Sequence, residues 1–398
     1  MNILLLQSTS YLPSIGANKA NRLLLEALAR HGHKCLALGP ISGIYSDVTL
    51  MDALSHGNIP ATGGANGALM FALNGVAVHA YQSIRRLLEC LQEEVKLFNP
   101  HWIVTTSEDF GYQLLKAAVT MSPAQVIFLA RTTQYLPFGP TSFWPSKSGT
   151  NLVRKARAVI AVSRFVKNYI QEHGKIFATT FPLPSFGVTQ APSYLGLDRE
   201  YVLMINPCAI KGVTVFTDLA RIFSNVRFAA VPTWGTTADD RLMLNRLKNV
   251  TLLESSENVE AIYAKTKVLL VPSLWDESFG KVVIEAMLRG IPVIASDAGG
   301  LPEAKLGVPY VVPVQTIKEY ARSVDERMVP SAVVPAQNVG PWIEAVNALL
   351  ADELLYEQVS KESRLAALDY VASTGVEHFE NFLGSLALPS PAILPDCG

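Results

Sequence analysis

The segment VLLVPSLWDESFGKVVIEAMLRGIPVIASDAGGLPE occupies residues 268–303 and carries the most informative pattern of the chain. It begins with the apolar run Val268–Val271, which is bounded by a proline and is typical of a short buried strand. A helical pattern follows at about Phe279–Arg289, and the second apolar run Ile291–Ala295 predicts another strand. Strand, helix and strand in this order predict a β-α-β unit with two parallel strands.

The same alternation extends over most of the chain in both directions. Repeated β-α-β units predict the α/β class, with doubly wound parallel sheets. The further predicted strands are Asn2–Gln7, Lys34–Leu38, Trp102–Thr105, Val126–Ala130, Ala158–Val162, Tyr201–Ile205, Val226–Val231 and Val250–Leu253. The further predicted helices cover about Lys19–Arg30, Val78–Phe98, Val213–Phe223, Pro341–Ala351 and Glu353–Tyr370.

The alternation of predicted strands and helices is interrupted once, in the middle of the chain. Residues 181–200, FPLPSFGVTQAPSYLGLDRE, are rich in proline and lack periodicity, which indicates a linker between domains. We therefore predict two α/β domains at residues 1–185 and 186–370, facing each other across a cleft, and a final segment 371–398 that crosses back or frays. The Gly- and Ala-rich residues 39–77 are predicted to be a surface excursion at the cleft edge.

Composition excludes several classes of protein. The chain has 398 residues with 33 Lys+Arg and 34 Asp+Glu, so it lacks the basic surface of a nucleic-acid-binding protein. No apolar run reaches the roughly 18 residues of a membrane span, so no integral membrane segment is expected. The four cysteines lie far apart and the histidines lack metal-ligand spacing, which favours a reduced, cytoplasmic protein without a metal site.

Two glutamates in the opening segment are candidates for binding a sugar or a nucleotide. Glu277 and Glu285 stand eight residues apart, with Ser278-Phe279-Gly280 between them at the predicted helix start. Carboxylates accept hydrogen bonds from pairs of hydroxyl groups, and free backbone N–H groups at a helix start attract phosphate. The alternative is that both glutamates face solvent on an ordinary helix.

Two loops that follow predicted strands are candidates for binding phosphate. Lys211 ends the segment INPCAIKG (205–212) just before a helix, where its ammonium would face a diphosphate. Gly16 lies in YLPSIGAN (11–18) after the first strand, but the G-x-G-x-x-G fingerprint is absent. The alternative for Lys211 is an ordinary surface lysine beside a turn. The alternative for Gly16 is an ordinary loop between a strand and a helix.

The segment 272–303 resembles the signature of retaining glycosyltransferases of the GT-B architecture, the glycosyltransferase family 4 group. Glu277 and Glu285 meet its E-x7-E pattern, and SFG, EAM, G-x-P-V and GGLPE also match. The residues 158–170, 205–212 and 342–367 resemble further parts of the family. The resemblance implies two Rossmann-like domains, the first binding the acceptor and the second binding a nucleotide-sugar donor.

The resemblance also implies roles for single residues. Glu277 and Lys211 would be the catalytic pair, Glu277 holding the donor sugar and Lys211 neutralising the diphosphate leaving group. Glu285 would hydrogen-bond the ribose, and Gly16 would let its loop approach the phosphate. Residues implied to contact the donor are Glu285, Gly16, Asn206, Ser278, Phe279, Gly280 and Leu253.

One position departs from the family pattern. The family usually has an arginine five residues before the lysine, where this chain has Asn206. Either members of the family function with Asn-Pro at this position, or another cation substitutes, for which Arg131 and Arg164 are candidates.

The implied reaction is sugar transfer with retention to an acceptor hydroxyl or amine, without a metal or a cofactor other than the nucleotide-sugar co-substrate. The alternatives are a non-catalytic nucleotide-sugar-binding copy and a GT-B sugar-nucleotide epimerase. The acceptor is a small molecule or a glycan, and Gln134–Trp144 is either the floor of its pocket or a packed aromatic loop. The nucleotide base and donor sugar stay open, and a homodimer is compatible with the sequence.

Overall fold

The chain forms two mainly parallel sheets with helices packed against them. The computed structural model describes residues 1–12, 16–42, 49–64, 66–122, 125–184, 186, 191–256, 259–324 and 330–386. Strands such as Val126–Ala130 are buried over their whole length, as expected for parallel strands covered on both faces. This burial explains why the strands read as continuous apolar runs in the sequence.

The first sheet has nine strands, and the described part of the chain between β1 and β9 forms six α-helices. Its strands are β1 (Asn2–Leu6), β2 (Lys34–Pro40), β3 (Ala61–Gly63), β4 (Leu69–Leu73), β5 (Val76–Tyr81), β6 (Trp102–Thr106), β7 (Val126–Ala130), β8 (Ala158–Ala161) and β9 (Thr179–Thr180). The helices are α1 (Gly16–Arg30), α2 (Leu50–His56), α3 (Ile84–Phe98), α4 (Gln113–Met121), α5 (Lys147–Lys155) and α6 (Arg164–Tyr169).

The second sheet has six strands, and a separate two-stranded hairpin follows it. The strands are β10 (Tyr201–Ile205), β11 (Phe228–Val231), β12 (Val250–Leu252), β13 (Thr266–Val271), β14 (Val293–Ser296), β15 (Val311–Val312), β16 (Tyr320–Val324) and β17 (Pro330–Ala332). The helices in this part of the chain are α7 (Val213–Ile222), α8 (Ala238–Asn245), α9 (Glu260–Tyr263), α10 (Lys281–Met287), α11 (Leu301–Ala304), α12 (Gly340–Ala351), α13 (Glu353–Ala372) and α14 (Val376–Leu386), of which α14 packs against the first sheet.

Both sheets change winding direction at a strand pair near their centre. The first sheet has the order β3-β4-β5-β2-β1-β6-β7-β8-β9, and β1 pairs in parallel with both β2 and β6. The second has the order β12-β11-β10-β13-β14-β15, and β10 pairs in parallel with both β11 and β13. Ligands of such sheets bind beyond the carboxyl ends of the strands at this change of direction. The topology therefore places candidate sites after β1 and β6 and after β10 and β13.

The predicted helix Val78–Phe98 is wrong in its first part. Residues Val76–Tyr81 form β5, which pairs in parallel with β2, and the helix begins only at Ile84. Ser83 separates the two elements, because its hydroxyl accepts a hydrogen bond from the Arg86 N–H and caps the helix.

The predicted surface excursion 39–77 also needs correction. Within its described part, β3 and β4 form an antiparallel extension of the first sheet, and β4 pairs with β5. This extension is part of the sheet edge and not a loose loop. Residues 43–48 and 65 of the predicted excursion lie outside the described residues.

The last helix returns to the first domain. The apolar side chains of Val376, Phe379 and Leu383 on α14 are buried in the core around β1 and α1. Phe379 and Phe382 also contact Phe181, with ring centroids 6.3 and 5.5 Å apart. The segment 371–386 thus crosses from the second domain to the first, and residues 387–398, for which fraying was predicted, lie outside the described residues.

The described residues contain neither a membrane-spanning helix nor a cluster of metal ligands. None of the helices there combines the length and the apolarity needed to cross a membrane. No group of three or more His, Cys, Asp or Glu side chains in the same part of the chain is arranged to hold a metal ion.

Candidate functional site

The loops at the centres of the two sheets face each other across the domain boundary. The loop after β13 contacts the first domain twice, because Gln134 Nε2 donates to the Asp276 carbonyl (3.3 Å) and Ser163 Oγ donates to the Ser278 carbonyl. The carboxylate of Glu303 accepts hydrogen bonds from the Arg164 N–H at the start of α6. The candidate site therefore lies in a cleft with one wall from each domain.

Lys211 and Glu277, 66 residues apart in the chain, form an ion pair in this cleft. Ser273 Oγ donates to the same carboxylate oxygen of Glu277 at 2.5 Å. The Lys211 ammonium lies 4.6 Å from the centre of the Trp275 ring, within range of a cation–π contact. The side chains of Lys211 and Glu277 keep 16% and 15% exposure, so both remain accessible to a ligand.

A close backbone approach brings these two loops together. A 3₁₀ turn, Ala209–Lys211, follows β10, and Gly212 ends it at φ 78°. A Cβ on Gly212 would lie 1.9 Å from the Pro272 carbonyl oxygen at the end of β13. Only glycine fits at this point, since it lacks Cβ and tolerates positive φ.

Glu285 lies on α10 and is held from one side. Tyr263 Oη donates to Glu285 Oε2 at 3.3 Å. Arg289 donates to the Glu285 carbonyl and forms an ion pair with Glu260, and its guanidinium lies 4.7 Å from the Tyr263 ring centre. Tyr263 is thus fixed between Arg289 and Glu285, and Oε1 of Glu285 has no partner among the described side chains.

Lys281 was missed by the sequence analysis. It is the first residue of α10, one turn before Glu285, and its ammonium has no hydrogen-bond partner in the described structure. Desolvation lowers the pKa of Lys281 to about 8, while Glu285 raises it and the cations Arg131 and Lys19 of the first domain lower it further. The signal in the sequence was a lysine four residues before the second glutamate, which places both on one helix face.

Asn206, which stands where the family usually has an arginine, is buried and hydrogen-bonded to the backbone of a neighbouring loop. Its backbone is left-handed (φ 59°), its side chain is 5% exposed, and its Oδ1 accepts a hydrogen bond from the Gly235 N–H at 2.9 Å. Its buried Nδ2 atom has no partner in the described structure. Two cations were considered as substitutes for the missing arginine. Arg164 is paired with Glu303 at 3.6 Å. The charge of Arg131, by contrast, acts on Lys281 at the start of α10.

The other predicted donor-binding residues lie on the same loops. Ser278 uses its carbonyl in a contact between the domains, and the buried Phe279 ring stacks on Tyr370 with centroids 5.5 Å apart. Gly280 has φ 105° and leads into α10, Gly16 is the first residue of α1, and the Leu253 N–H donates to the Ala230 carbonyl. The second-domain residues lie on the loops after β10, β12 and β13, and Gly16 lies on the opposite wall.

The predicted segment Gln134–Trp144 belongs to an aromatic cluster on the first-domain wall. Tyr135 packs against Phe110 and Trp144, with centroids 4.9 and 6.5 Å apart. Phe143 extends the cluster to Tyr320 on β16, 5.0 Å away in the second domain. The segment therefore packs as an aromatic loop and also borders the cleft.

Comparison with known proteins adds three findings. Residues 203–352 match the family model described as Glycosyl transferases group 1. An uncharacterized 41.2 kDa protein in the cps region of Klebsiella pneumoniae is 48% identical over 48 residues, 12% of this chain and 13% of that protein. D-inositol 3-phosphate glycosyltransferase of Corynebacterium diphtheriae is 28% identical over 132 residues, 33% of this chain and 26% of that enzyme. The matched segments thus span well under two thirds of these relatives.

The similarity of the folded structure covers nearly the whole chain. The Anabaena protein HepE, solved in complex with UDP and glucose, superposes with a TM-score of 0.66. The superposition covers 97% of this chain and 100% of HepE at 17% sequence identity. At this identity the likeness concerns the fold.

Proposed function

We propose that this protein is a retaining glycosyltransferase, because residues 203–352 match the glycosyl transferases group 1 model and the chain has the GT-B fold. It would transfer a sugar from a nucleotide-diphosphate donor to an acceptor hydroxyl or amine. The observation that carries the proposal is the Lys211–Glu277 ion pair at the central strands of the second sheet, with Glu285 on the following helix. This arrangement offers a cation for a diphosphate and carboxylates for sugar hydroxyls.

The proposed mechanism depends on stabilising the departing diphosphate. As the bond from the anomeric carbon to the phosphate oxygen breaks, negative charge grows on that oxygen, and preorganised cations lower the barrier. Lys211 supplies one cation, and we assign a second to Lys281, which would take over from the arginine missing at Asn206. The acceptor oxygen attacks from the same face, and the leaving phosphate takes its proton. The anomeric configuration is therefore retained, and the residues named here do this without a metal.

The donor site is tested by ligand-induced thermal stabilisation. A ligand that binds only the folded protein at 100 times its dissociation constant stabilises it by about 2.7 kcal/mol. UDP and UDP-glucose are the first probes, since HepE was solved with UDP and glucose, and other nucleoside diphosphates follow. We expect one nucleotide series to raise the melting temperature, and Glu285→Gln to abolish most of the shift because the ribose loses its carboxylate partner.

The matched control is Glu357→Gln, which removes an exposed carboxylate on α13 that pairs with Lys361. This variant should keep the full nucleotide-induced shift. Release of nucleoside diphosphate from the donor in the presence of an acceptor then separates an enzyme from a protein that only binds. A well-folded protein that no nucleotide stabilises would contradict the proposal.

The role of Lys281 predicts a pH dependence of donor binding. Its lowered pKa, about 8, means that the free protein loses this charge between pH 7 and 9. A bound diphosphate favours the charged form, so binding requires proton uptake above pH 8. We expect nucleoside diphosphate affinity to fall roughly tenfold from pH 7 to pH 9. Isothermal titration calorimetry in buffers of different ionisation heat measures both the affinity and the proton uptake.

The variant Lys281→Met should bind more weakly at pH 7 and lose this pH dependence. The exposed Lys265 provides the control, and Lys265→Met should keep the profile of the unchanged protein. Equal affinities at pH 7 and pH 9 in the unchanged protein would remove Lys281 from the diphosphate site.

A further inference from the structure

The start of helix α6 in the first domain is capped by a side chain of the second domain. The Glu303 carboxylate on α11 accepts hydrogen bonds from the backbone N–H groups of Arg164, at 2.9 and 3.2 Å, and of Phe165, at 3.4 Å. The N–H groups at a helix start carry a partial positive charge, so a carboxylate is a favourable partner for them. Two N–H groups of the first domain thus depend on the second domain.

The next N–H group of α6 is satisfied within the first domain. Val166 donates to Ser163 Oγ at 3.1 Å. The Arg164 guanidinium lies 3.6 Å from Glu303, but the arginine side chain is 75% exposed and such pairs contribute little. Separating the two domains would therefore release the N–H groups of Arg164 and Phe165, while Val166 would keep its partner.

The same helix start is bonded to the loop that carries the predicted donor-binding residues. Ser163 Oγ, which caps α6, donates its own proton to the Ser278 carbonyl. Ser278 stands between Glu277, which pairs with Lys211, and Phe279. The position of this loop relative to the first domain therefore depends on the contacts at the start of α6.

Glu303 is fixed to that loop by a close backbone approach. The Gly300 N–H donates to the Glu277 carbonyl at 2.6 Å. A Cβ on Gly299 would lie 2.3 Å from the Glu277 carbonyl oxygen, and a Cβ on Gly300 would lie 2.6 Å from the Ser278 carbonyl oxygen. Helix α11, which carries Glu303, begins directly after these glycines. The carboxylate that caps α6 and the loop of Glu277 are therefore expected to move together.

A cavity adjoins this contact at the linker between the domains. It has a volume of about 410 Å³ and is lined from both domains, by Arg164 and Phe181 on one side and by Glu303, Leu306 and Tyr370 on the other. Because of this cavity, the two walls meet here through the hydrogen bonds of Glu303 more than through packed apolar side chains. These hydrogen bonds therefore determine how firmly the walls are held together at this point.

We propose that Glu303 is a positioning residue that latches the two walls of the cleft together by capping α6. Its expected effect on catalysis rests on the proposed function, whereas its effect on the domain contact does not. With the latch formed, Ser163 holds Ser278 against the first domain and the cleft is closed around the transferred sugar. With the latch broken, Lys211, Glu277 and Glu285 still share one domain and can bind a nucleotide, but the first-domain wall is free to move away.

Hydrogen exchange at single amides of α6, measured by NMR, tests the latch directly. Glu303→Ala should accelerate exchange of the Arg164 and Phe165 amides by about tenfold, the lower end of the effect of a charged hydrogen bond, since the Glu303 side chain is 22% exposed. The Val166 amide should keep its rate, because its partner lies in the same domain. Glu303→Gln keeps an acceptor oxygen and loses the charge, so its effect should be smaller.

The matched control is Asp352→Ala, which removes a cap of the same kind within one domain. The Asp352 carboxylate accepts from the Leu355 N–H at 3.0 Å at the start of α13. This variant should leave exchange at α6 unchanged. Unchanged exchange of the Arg164 and Phe165 amides in Glu303→Ala would overturn the proposal, whether or not the protein transfers a sugar.

Kinetics and calorimetry distinguish the latch from the donor site. Glu303→Ala should lower kcat by up to about tenfold, because fewer molecules hold the cleft closed. The dissociation constant of the nucleoside diphosphate that stabilises the protein should change by less than about threefold, since Lys211, Glu277 and Glu285 are unchanged.

An unchanged kcat would overturn the positioning role of Glu303. A loss of nucleotide affinity as large as the loss of kcat would also overturn it, because Glu303 would then act within the donor site. Absence of nucleotide binding by the unchanged protein would instead overturn the proposed function, and hydrogen exchange would still decide whether the latch exists.

Discussion

Lys211→Met is expected to lower kcat for sugar transfer by about 10²- to 10³-fold, the usual effect of removing one group that stabilises developing negative charge. The ammonium of Lys211 is held by Glu277 and by the Trp275 ring, so its position is fixed before a ligand arrives. The charge of the diphosphate grows as the sugar leaves, and the interaction is therefore stronger in the transition state than in the bound donor. We expect kcat to fall more than KM rises.

Steady-state kinetics with the donor identified by thermal shift measures this effect. The control is Lys248→Met, an exposed lysine in the same domain, which should keep full activity. In Lys211→Met, Glu277 keeps its hydrogen bond from Ser273, so the variant should fold and its circular dichroism should be unchanged. A kcat within a factor of two of the unchanged protein would remove Lys211 from the leaving-group site.

The central strands of both sheets were predictable from sequence because each is a short apolar run that is buried on both faces. The predicted GT-B fold is confirmed, and the strand Val126–Ala130 has the predicted bounds. The predicted helix Val78–Phe98 failed because the apolar residues of β5 lead into those of the amphipathic helix α3, with only Ser83 and its neighbour between the two elements. Where the period of the apolar residues changes from two to 3.6 within a few residues, the pattern alone does not show where the strand ends and the helix begins.

The sequence predicts only those contacts of the candidate site that form between loops at the ends of neighbouring strands. Lys211 and Glu277 come together because their loops follow neighbouring parallel strands, which a β-α-β pattern implies. The approach of Arg131 to Lys281 depends on how the two domains face each other, and no local pattern carries that information. Asn206 was noted as a departure, but its contact with Gly235 depends on a loop that the sequence analysis did not place.

Gly212→Ala should have the largest effect on stability, lowering the free energy of unfolding of the second domain by about 3–5 kcal/mol, in the range of severe single substitutions. Two causes act together. The residue has φ 78°, a conformation that is unfavourable for alanine by roughly 1–2 kcal/mol. In addition, the new Cβ would lie 1.9 Å from the Pro272 carbonyl oxygen, so the two loops must separate.

Gly307→Ala distinguishes the two causes. Gly307 has φ 84°, and a Cβ there would meet no described atom within 4 Å. This variant therefore loses stability only through the unfavourable backbone conformation and not through a steric clash. Urea denaturation followed by tryptophan fluorescence should show a loss of about 1–2 kcal/mol for Gly307→Ala. Similar losses in both variants would mean that the loops after β10 and β13 move apart without strain.

The contact at Gly212 also links stability to catalysis. Since Lys211 precedes Gly212 and Glu277 follows Pro272 by five residues, separating the two backbones would also separate the ion pair. Gly212→Ala should therefore lose nucleotide-induced stabilisation even at temperatures where it remains folded, whereas Gly307→Ala should retain it. Retained nucleotide binding in Gly212→Ala would show that the ion pair does not depend on this close approach.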